Sequence, residues 1–385
     1  MKKKILFVND EMVVGGVSRV LNNLLSKLDL SKYDVDLLVL HKHGEMLKEV
    51  PSGINVIGGS DFFSVCDITI EECRTQGLSK TIDKYRFYHL LKSGKIVDKI
   101  IKEREQMNLK HYDVEIAFKE GFCSIFTACG DSSIKINWIH ADYKVKNYAE
   151  RYMNTMKNIL QKFDTHVAVS NVAGNSFKEI FDLDEVITIH NIINDEYILE
   201  KAKEDVIYRN EELTFISVGR LHPQKSYNRL IDACSRLNSE GYNFQVYVLG
   251  DGELKSDLEK QMKNLKVNNI HRVTDQSNPF KYLKQADCLI LPSIYEGLPT
   301  VIYESLILHV PVITTRVAGV DEQITEKTGI ISENSVEGIY SMMKEVMDNP
   351  DKLSVFKKNI SDYKYKNDDI VKTIELLLDN ESVRL

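Results

Sequence analysis

Two glutamates eight positions apart, Glu296 and Glu304, combine a chemically active residue type with a suggestive spacing. Glu296 follows the apolar run CLILP (288–292), which predicts a buried strand, and Glu304 lies within the helix expected next. An acidic residue near the end of a buried strand is unfavourable unless something there needs it. Because a carboxylate accepts strong hydrogen bonds from a diol, each glutamate is a candidate for holding a sugar or a ribose.

The turn between the two glutamates also favours ligand binding. Pro299 suits the first turn of a helix, where its missing N–H costs nothing, so the backbone N–H groups around Gly297 and Leu298 can face a ligand. Thr300 lies four residues before Glu304, which places both side chains on one face of the helix. We therefore expect these residues to contact the same ligand as the glutamates.

A second turn at a strand end, VGRLHPQKS (218–226), carries the cations Arg220 and Lys225. Arginine offers a planar fork to phosphate oxygens and lysine offers a mobile point charge, while the helix that follows adds its dipole. The alternative is that both are solvated loop cations. In a third turn, LGDGE (249–253), Gly250 permits a ligand to approach the backbone closely.

The loop after the first predicted strand contains Gly15 and Gly16 directly before a helix. Two glycines there let backbone N–H groups approach an anion or a sugar, although they could also serve only the turn. The pattern is not G-x-G-x-x-G, so the dinucleotide fingerprint is absent. Two acids for polyol groups, with cations for phosphates between them, predict a nucleotide sugar as the ligand.

Length and composition limit the class of protein. A chain of 385 residues suggests two domains, and a hydrophobic fraction of 43% is ordinary for a globular protein. The net charge of −7 argues against general binding of nucleic acid. The six cysteines lack C-x-x-C spacing, and no apolar run approaches the roughly 18 residues of a membrane span. We therefore expect a cytoplasmic protein with reduced thiols.

Short apolar runs alternate with helical patterns along the whole chain, which predicts α/β units with parallel sheets covered on both faces. Residues 187–213 are polar and charged, as in a linker, so we place a domain boundary after residue 190. The predicted strands are KILFV (4–8), VDLLVL (35–40), VEIAF (114–118), KINWI (135–139), THVAV (165–169), TFISV (214–218), FQVYVL (244–249), CLILP (288–292), PVITT (311–315) and GIIS (329–332).

The segment EGLPTVIYE (296–304) resembles the E-x7-E signature of retaining glycosyltransferases of family 4. These have the GT-B fold, in which two tandem Rossmann-like, doubly wound domains face a central cleft. The resemblance covers nearly the whole chain and includes, in order, the Gly15–Gly16 loop, WIHAD (138–142), VGRLHPQK (218–225), GDGE (250–253), NPFKYLKQAD (278–287) and PVITT (311–315).

The resemblance implies an acceptor-side domain at 1–190, a donor-binding domain at 191–360, and a tail from about 361 to 385 that packs back on the first domain. It also implies a role for each catalytic candidate. Glu296 would face the donor sugar and Glu304 the ribose. Arg220 and Lys225 would hold the diphosphate, and His140 would lie beside the sugar.

The resemblance also implies the reaction, which is hexosyl transfer with retention at the anomeric carbon, without a metal or other cofactor. The departing diphosphate oxygen would help to deprotonate the acceptor. The expected donor is UDP-linked, because UDP-sugars are the commonest donors in the family. The expected acceptor is a glycan or a lipid-linked sugar of cell-surface polysaccharide or glycoconjugate biosynthesis.

Residues 78–112 carry nine Lys or Arg against four acids, with apolar residues at helical spacing. A basic, partly apolar helix suits an anionic membrane surface, which would make the protein peripheral on the inner face of the cell membrane. The alternative is an amphipathic helix that packs on the sheet while its lysines are solvated.

Other functions remain open from the sequence. A metal-dependent GT-A transferase would need a D-x-D pair, but the DVD at 34–36 and the DLD at 182–184 lie in unsuitable positions. A GT-B nucleotide-sugar epimerase and a non-catalytic nucleotide-sugar-binding protein are alternatives, whereas the missing fingerprint disfavours a dehydrogenase. His41-Lys42-His43 resembles a metal motif, but no carboxylate or cysteine stands at ligand spacing, so we interpret it as a solvated loop.

Overall fold

The computed structural model describes residues 2–144, 150–205, 212–273 and 278–381. The chain divides into two compact units. Unit 1 comprises Met1–Ile192 together with Asn367–Leu385, and unit 2 comprises Ile193–Lys366. The sequence places the boundary after residue 190 and the returning tail from about 361, so the two descriptions differ by a few residues at each point.

Unit 1 is built from alternating strands and helices. Its strands are β1 (Lys3–Asn9), β2 (Tyr33–Val39), β3 (Asn55–Gly58), β4 (Val114–Ala117), β5 (Ile134–Ile139), β6 (Thr165–Ala168) and β7 (Ile187–Thr188). Its helices are α1 (Gly16–Lys27), α2 (Ile70–Gln76), α3 (Leu78–Lys92), α4 (Ile96–Met107), α5 (Phe122–Thr127), α6 (Glu150–Ile159), α7 (Asn171–Phe181) and the C-terminal helix Asn367–Leu378, with 3₁₀ turns at Glu45–Glu49, Asp61–Val65 and Leu160–Lys162.

The strands of unit 1 form one parallel sheet in the order β3-β2-β1-β4-β5-β6-β7. The central strand β1 is apolar along most of its length because helices cover both faces, and Ile5 to Val8 are fully buried. The C-terminal helix is tied to the start of this sheet, where Tyr33 Oη donates to Asp379 at 3.1 Å and Lys32 Nζ lies 3.3 Å from Glu375.

Unit 2 repeats the same arrangement. Its strands are β8 (Leu213–Val218), β9 (Phe244–Leu249), β10 (Ile270–Val273), β11 (Cys288–Leu291), β12 (Val312–Thr315) and β13 (Gly329–Ser332). Its helices are α8 (Asp195–Lys201), α9 (Tyr227–Ser239), α10 (Lys255–Leu265), α11 (Pro279–Gln285), α12 (Thr300–Ile307), α13 (Val320–Gln323), α14 (Val336–Asp348) and α15 (Asp351–Asn359), with a 3₁₀ turn at Pro223–Lys225. The C-terminal helix Asn367–Leu378, which belongs to unit 1, is numbered α16.

The sheet of unit 2 is also parallel and has the order β10-β9-β8-β11-β12-β13. Counted from β8, this is the 3-2-1-4-5-6 order of the Rossmann fold. In such a sheet the connections leave β8 and β11 in opposite directions, so a crevice opens beyond the carboxyl ends of these two strands. The same reversal occurs between β1 and β4 in unit 1. The predicted pair of doubly wound α/β domains is confirmed.

The basic segment 78–112 differs from its prediction. It forms two helices, α3 and α4, because Gly94 takes a left-handed φ of 74° between them. Lys84 is fully buried and donates to the Val65 carbonyl, and Arg104 pairs with the buried Glu115. The alternative in which the lysines of this segment are solvated is therefore wrong for Lys84.

Within the described ranges, no helix is both long enough and apolar enough to cross a membrane.

Candidate functional site

The candidate site in unit 2 lies between β8 and β11, where the order of the strands in the parallel sheet reverses. The loop after β8 carries Arg220, Gln224 and Lys225, and the loop after β11 carries Ser293 and Glu296. Because β8 and β11 are neighbours in the sheet, their loops meet at its carboxyl edge. Ligands of doubly wound folds bind at this position.

Glu296 is held by side chains from both loops. Lys225 Nζ lies 2.7 Å from Oε1, and the Ser293 hydroxyl donates to the same oxygen at 2.7 Å. Gln224 Nε2 donates to Oε2 at 3.1 Å and also to the Tyr295 carbonyl at 3.0 Å. The Glu296 side chain is only 10% exposed. This carboxylate is therefore fixed in orientation and its charge is balanced by Lys225.

The backbone around this site is packed too closely for side chains. A Cβ at Gly250 would lie 1.9 Å from the Gly219 carbonyl oxygen, so the loops after β8 and β9 approach each other only because residue 250 is glycine. A Cβ at Gly219 would lie 2.8 Å from Lys225 Cε. Gly250 thus allows two loops to approach each other closely. The sequence did not indicate this role.

Arg220 lies two residues after the end of β8 and is exposed. Within the described part of the chain it makes no ion pair, although its charge acts on the neighbouring Tyr295 and opposes the rise in that phenol's pKa caused by burial. A cation placed at the switch point of the sheet, without a carboxylate partner among these residues, is available to an anionic ligand.

The second glutamate and its neighbours lie on or just before α12. Glu304 is 6% exposed, Leu298 is buried, and Gly297 and Thr300 are half-buried. A Cβ at Gly319 would lie 2.8 Å from the Gly297 oxygen and from Leu298 Cδ1, so a third loop packs against this turn. Glu304 is the more deeply buried of the two glutamates.

His140 lies at the end of β5 in unit 1. Its backbone N–H donates to Glu120 Oε2 at 3.0 Å, and its Nε2 lies 2.8 Å from the Phe118 carbonyl oxygen. Because a carbonyl can only accept, Nε2 carries the proton and Nδ1 has the lone pair. Burial lowers the pKa of His140 to about 4, helped by the charge of Lys119 and opposed by the Phe118 hydrogen bond. The imidazole is therefore neutral at physiological pH.

Gly15 and Gly16 occupy open positions at the start of α1. Gly15 has a φ of −179°, which is extended backbone that any residue adopts. A Cβ at Gly16 would meet nothing within 4 Å, and one at Gly15 would meet only the Val13 oxygen at 4.0 Å. Neither glycine is needed by the turn itself, so the interpretation that they only make the turn is not supported.

The loops after β1 and β4 form a charged cluster at the switch point of unit 1. Lys119 Nζ lies 2.6 Å from Asp10 Oδ2 and 3.9 Å from Glu11 Oε1. Burial raises the pKa of Glu11 to about 7, while Lys119 opposes this rise and Asp10 adds to it. Glu120, in the same loop as Lys119, is buried, and burial raises its pKa as well.

The interpretation of His41-Lys42-His43 as a solvated loop is wrong. Asp67 Oδ1 lies 3.0 Å from His41 Nδ1, and Asp67 Oδ2 lies 3.1 Å from His43 Nε2. The sequence missed this carboxylate because it comes from a separate segment, following the 3₁₀ turn after β3.

The two D-x-D triplets are engaged elsewhere. Asp34 and Asp36, at the start of β2, lie 2.8 and 3.2 Å from Lys110 Nζ, and Tyr112 Oη donates to Asp36 at 2.6 Å. Asp182 follows α7 as its C-cap residue, with a φ of 53°. Neither pair lies in a loop that follows β1, β4, β8 or β11.

Sequence reasoning missed three residues that position the predicted ones. Gln224 and Ser293 hold Glu296, and Glu120 accepts from the backbone of His140. Two of them could have been found from their place in the sequence, because Ser293 lies shortly after β11 and Glu120 shortly after β4. The structure brings Lys225 and Glu296 into contact within unit 2, while His140, Gly15 and Gly16 lie in unit 1.

Comparison with known proteins finds a family match in the second half of the chain. Residues 200–363 match the family model described as "Glycosyl transferases group 1". An uncharacterized glycosyltransferase of Methanocaldococcus jannaschii is 40% identical over 112 residues, 28% of either chain. The N-acetylgalactosamine-N,N'-diacetylbacillosaminyl-diphospho-undecaprenol 4-alpha-N-acetylgalactosaminyltransferase of Campylobacter jejuni is 29% identical over 192 residues, 48% of this chain and 50% of that one. The chain thus spans half or less of the length of these two relatives.

Two further similarities extend over the whole chain. An uncharacterized glycosyltransferase of Haemophilus influenzae is 25% identical over 361 residues, which is 91% of this chain and 92% of that protein. Among solved structures, the Anabaena protein HepE in complex with UDP and glucose superposes with a TM-score of 0.72 at 14% identity, covering 98% of this chain and 100% of that one. The chain therefore has the GT-B fold, and most of its second unit matches the group 1 glycosyl transferases.

Proposed function

We propose that this protein is a retaining, metal-independent glycosyltransferase of the family 4 kind. It moves a hexosyl group from a UDP-linked donor to a glycan or lipid-linked acceptor in the synthesis of a cell-surface polysaccharide or glycoconjugate. The observation that carries this proposal is the Lys225–Glu296 pair at the switch point of unit 2, within the residues that match the family model. The solved complexes of similar fold that hold UDP also support a uridine nucleotide.

The residues of unit 2 are suited to binding the donor. Arg220 and Lys225 supply positive charge for the diphosphate, and the buried Glu304 accepts hydrogen bonds from the ribose diol. Glu296, fixed by Ser293 and Gln224, orients the sugar. Gly297, Leu298 and Thr300 present the turn before α12 to the same ligand.

Transfer with retention breaks the bond between the anomeric carbon and the diphosphate oxygen, which leaves with the electron pair. The acceptor oxygen forms its bond to the same face of the carbon, and its proton goes to the departing diphosphate oxygen. Arg220 and Lys225 stabilise the charge that develops on the leaving group, and this preorganised electrostatic effect needs no metal. His140, neutral and proton-bearing at Nε2, offers Nδ1 as an acceptor to a hydroxyl of the sugar.

We propose unit 1 as the acceptor side, in a protein located in the cytoplasm and peripheral on the inner face of the cell membrane. Helix α3 exposes Leu78, Ile82 and Tyr85, which are 78%, 42% and 50% exposed. Three exposed lysines follow later in the segment, at Lys92, Lys95 and Lys102. Apolar side chains beside cations suit an anionic lipid surface. The name of the Campylobacter jejuni relative describes a diphospho-undecaprenol acceptor, which supports a lipid-linked substrate here.

The experiment is incubation with UDP-, GDP- and ADP-sugars, with and without EDTA, followed by measurement of the released nucleotide and of the anomeric configuration of the product by NMR. We expect release of UDP, little effect of EDTA, and retained configuration. Conversion of the donor to its epimer would favour the epimerase, and binding without turnover would favour a non-catalytic protein. Activity that depends on an added metal would contradict the proposed mechanism.

A further inference from the structure

Three side chains from two segments of unit 1 direct nitrogen and oxygen atoms at one another. His41 and His43 follow β2, and Asp67 follows the 3₁₀ turn Asp61–Val65. His41, His43 and Asp67 each offer one ligand atom, and the three atoms all lie within 4.8 Å of one another. The two imidazole rings face the same carboxylate with their centroids 4.0 Å apart. Two imidazoles and a carboxylate form a common donor set for divalent metal ions.

The separations match the size of a metal site. In a tetrahedral site with bonds of about 2.05 Å, neighbouring ligand atoms lie about 3.3 Å apart. His41 Nδ1 lies 3.0 Å and His43 Nε2 lies 3.1 Å from the nearest Asp67 oxygens. Glu11 Oε2 lies 3.4 Å from His43 Nε2, which brings a second carboxylate close to this nitrogen. Small outward adjustments of these side chains would admit an ion.

The backbone fixes the loop that carries both histidines. The His41 N–H donates to the Asp10 carbonyl at 2.8 Å, and the Met12 N–H donates to the His43 carbonyl at 2.9 Å. Gly44 has a φ of 111°, and a Cβ there would lie 2.1 Å from the Met12 carbonyl. The loop after β2 is therefore held against the loop after β1, which also carries Glu11. Preorganised ligands of this kind lower the cost of binding a metal.

This cluster brings two carboxylates close to one imidazole nitrogen. His43 Nε2 can carry one proton, yet it faces carboxylate oxygens of both Asp67 and Glu11. The Asp67 side chain is 2% exposed, so its charge is largely removed from water. The His41 and His43 side chains are 23% and 39% exposed, which leaves a path for an ion from solvent. A bound cation would offset the charge of the buried Asp67 carboxylate.

We propose that His41, His43 and Asp67 bind a first-row divalent transition-metal ion such as Zn²⁺, with Glu11 as the fourth ligand. Neutral imidazole suits Zn²⁺, Co²⁺ and Ni²⁺ better than it suits Mg²⁺ or Ca²⁺. Four protein ligands close the coordination sphere, as in structural rather than catalytic sites. The metal links the loop after β1, the loop after β2 and the segment before α2. It therefore stabilises unit 1 and takes no part in the proposed transfer chemistry.

The proposal is tested on the full-length protein after treatment with EDTA and dialysis. Titration with Zn²⁺ by calorimetry, and with Co²⁺ by visible absorption, should show one site per chain, and the spectrum should have the d–d bands of a four-coordinate site. Zn²⁺ should also raise the midpoint of thermal unfolding, because it binds the folded state. None of these measurements uses a sugar donor, so their failure is separate from failure of the proposed function.

The variants His41→Ala, His43→Gln and Asp67→Asn should each weaken binding of Zn²⁺ and Co²⁺ at least about tenfold. His111→Ala is the matched control, because His111 Nδ1 lies 3.4 Å from Asp131 in an exposed pair that lacks a second histidine. Circular dichroism checks that each variant folds, and His43→Gln keeps the size of the side chain. Unchanged affinity in all three variants, or a sulfur-to-cobalt charge-transfer band that assigns the ion to a cysteine, would overturn the proposal.

Discussion

Lys225 and Glu296 form an ion pair, with Nζ 2.7 Å from Oε1, although the residues lie 71 positions apart in the chain. Lys225 ends the 3₁₀ turn after β8, and Glu296 lies in the loop after β11. Their side chains are only 18% and 10% exposed, so the pair is partly shielded from water. The pair links the predicted phosphate-binding turn to the predicted sugar-binding turn, and its disruption should affect both.

Lys225→Ala should lower kcat about 100-fold, because it removes charge that stabilises the leaving diphosphate and leaves Glu296 with only Ser293 and Gln224. Combining it with Glu296→Gln measures the coupling, and we expect the two effects to be clearly non-additive. Steady-state kinetics check this, with the exposed Lys284→Ala as the control. Additive losses would show that the two residues act independently.

Arg220→Ala should also reduce kcat, with little change in the free energy of unfolding because the side chain is exposed. Arg220→Lys should recover only part of the activity, since lysine cannot offer two parallel N–H groups to a phosphate. Kinetics and circular dichroism on the same samples separate catalysis from folding. A kcat close to that of the wild type in Arg220→Ala would leave this arginine as a solvated loop cation.

Glu304→Ala should weaken the binding of UDP by roughly 1.5–3 kcal/mol, which is the worth of a hydrogen bond to a charged group. Calorimetry with free UDP measures this loss without any turnover. Glu326→Ala removes an exposed carboxylate of the same unit and should leave the Kd unchanged. If the Glu304 variant folds and binds UDP as tightly as the wild type, Glu304 does not contact the ribose.

His140 should make unit 1 less stable as the pH falls from about 6.5 to about 4. Its pKa is lowered to about 4 in the folded chain from an ordinary value near 6.5, so the unfolded chain binds more protons within this window. The free energy of unfolding therefore rises with pH in this window. The contribution of His140 to stability is complete above about pH 6.5. His166, whose pKa burial also lowers to about 4, acts in the same direction.

The test compares urea unfolding at pH 5 and pH 7.5 for the wild type and His140→Asn. The variant should lose part of the pH dependence, whereas His111→Asn, at an exposed position, should keep it. Burial raises the pKa of Glu120, so this residue makes the protein more stable as the pH falls, opposite to His140. The pH dependence of the unfolding free energy must therefore be compared between the wild type and the variant. An identical slope in His140→Asn would contradict the prediction.

The surface of α3 and α4 should bind vesicles that contain phosphatidylglycerol at low salt and release them at high salt. Changing Lys92, Lys95 and Lys102 to Glu should abolish sedimentation with the vesicles. Lys99 is left unchanged because it is engaged by Glu103. The matched control, with Lys255, Lys260 and Lys263 of α10 changed to Glu, alters the net charge equally and should still bind. Equal loss in both variants would mean that only net charge matters.

The strongest strands were predictable because their sequences are nearly continuously apolar. A strand buried on both faces needs such a run, and the segments that became β1, β2, β8, β9, β11 and β12 all have one. The strands β3, β7 and β10 were missed, since they are short and lie near or at sheet edges with half-exposed residues. Their existence depends on pairing with a neighbour rather than on their own composition.

The order of the strands could be read only in part from the sequence. Alternation of strands and helices indicated a parallel doubly wound sheet, and that class placed useful residues at the carboxyl ends. On this basis the sequence predicts Arg220, Lys225 and Glu296 as site residues, without indicating which of them are in contact. It also singled out His140, at the end of a first-domain strand.

Contacts between distant segments were decided only by the tertiary structure. Glu296 is held by Gln224 and Ser293, and the two histidines after β2 meet Asp67, because the sheet brings separate loops to one edge. Lys84 looked like a solvated cation and became a buried donor to a backbone carbonyl. The sequence by itself determined which residue types stand at the strand ends. Only the fold decided which of them touch, because a side chain's partner depends on the order of the strands and on the packing of their loops.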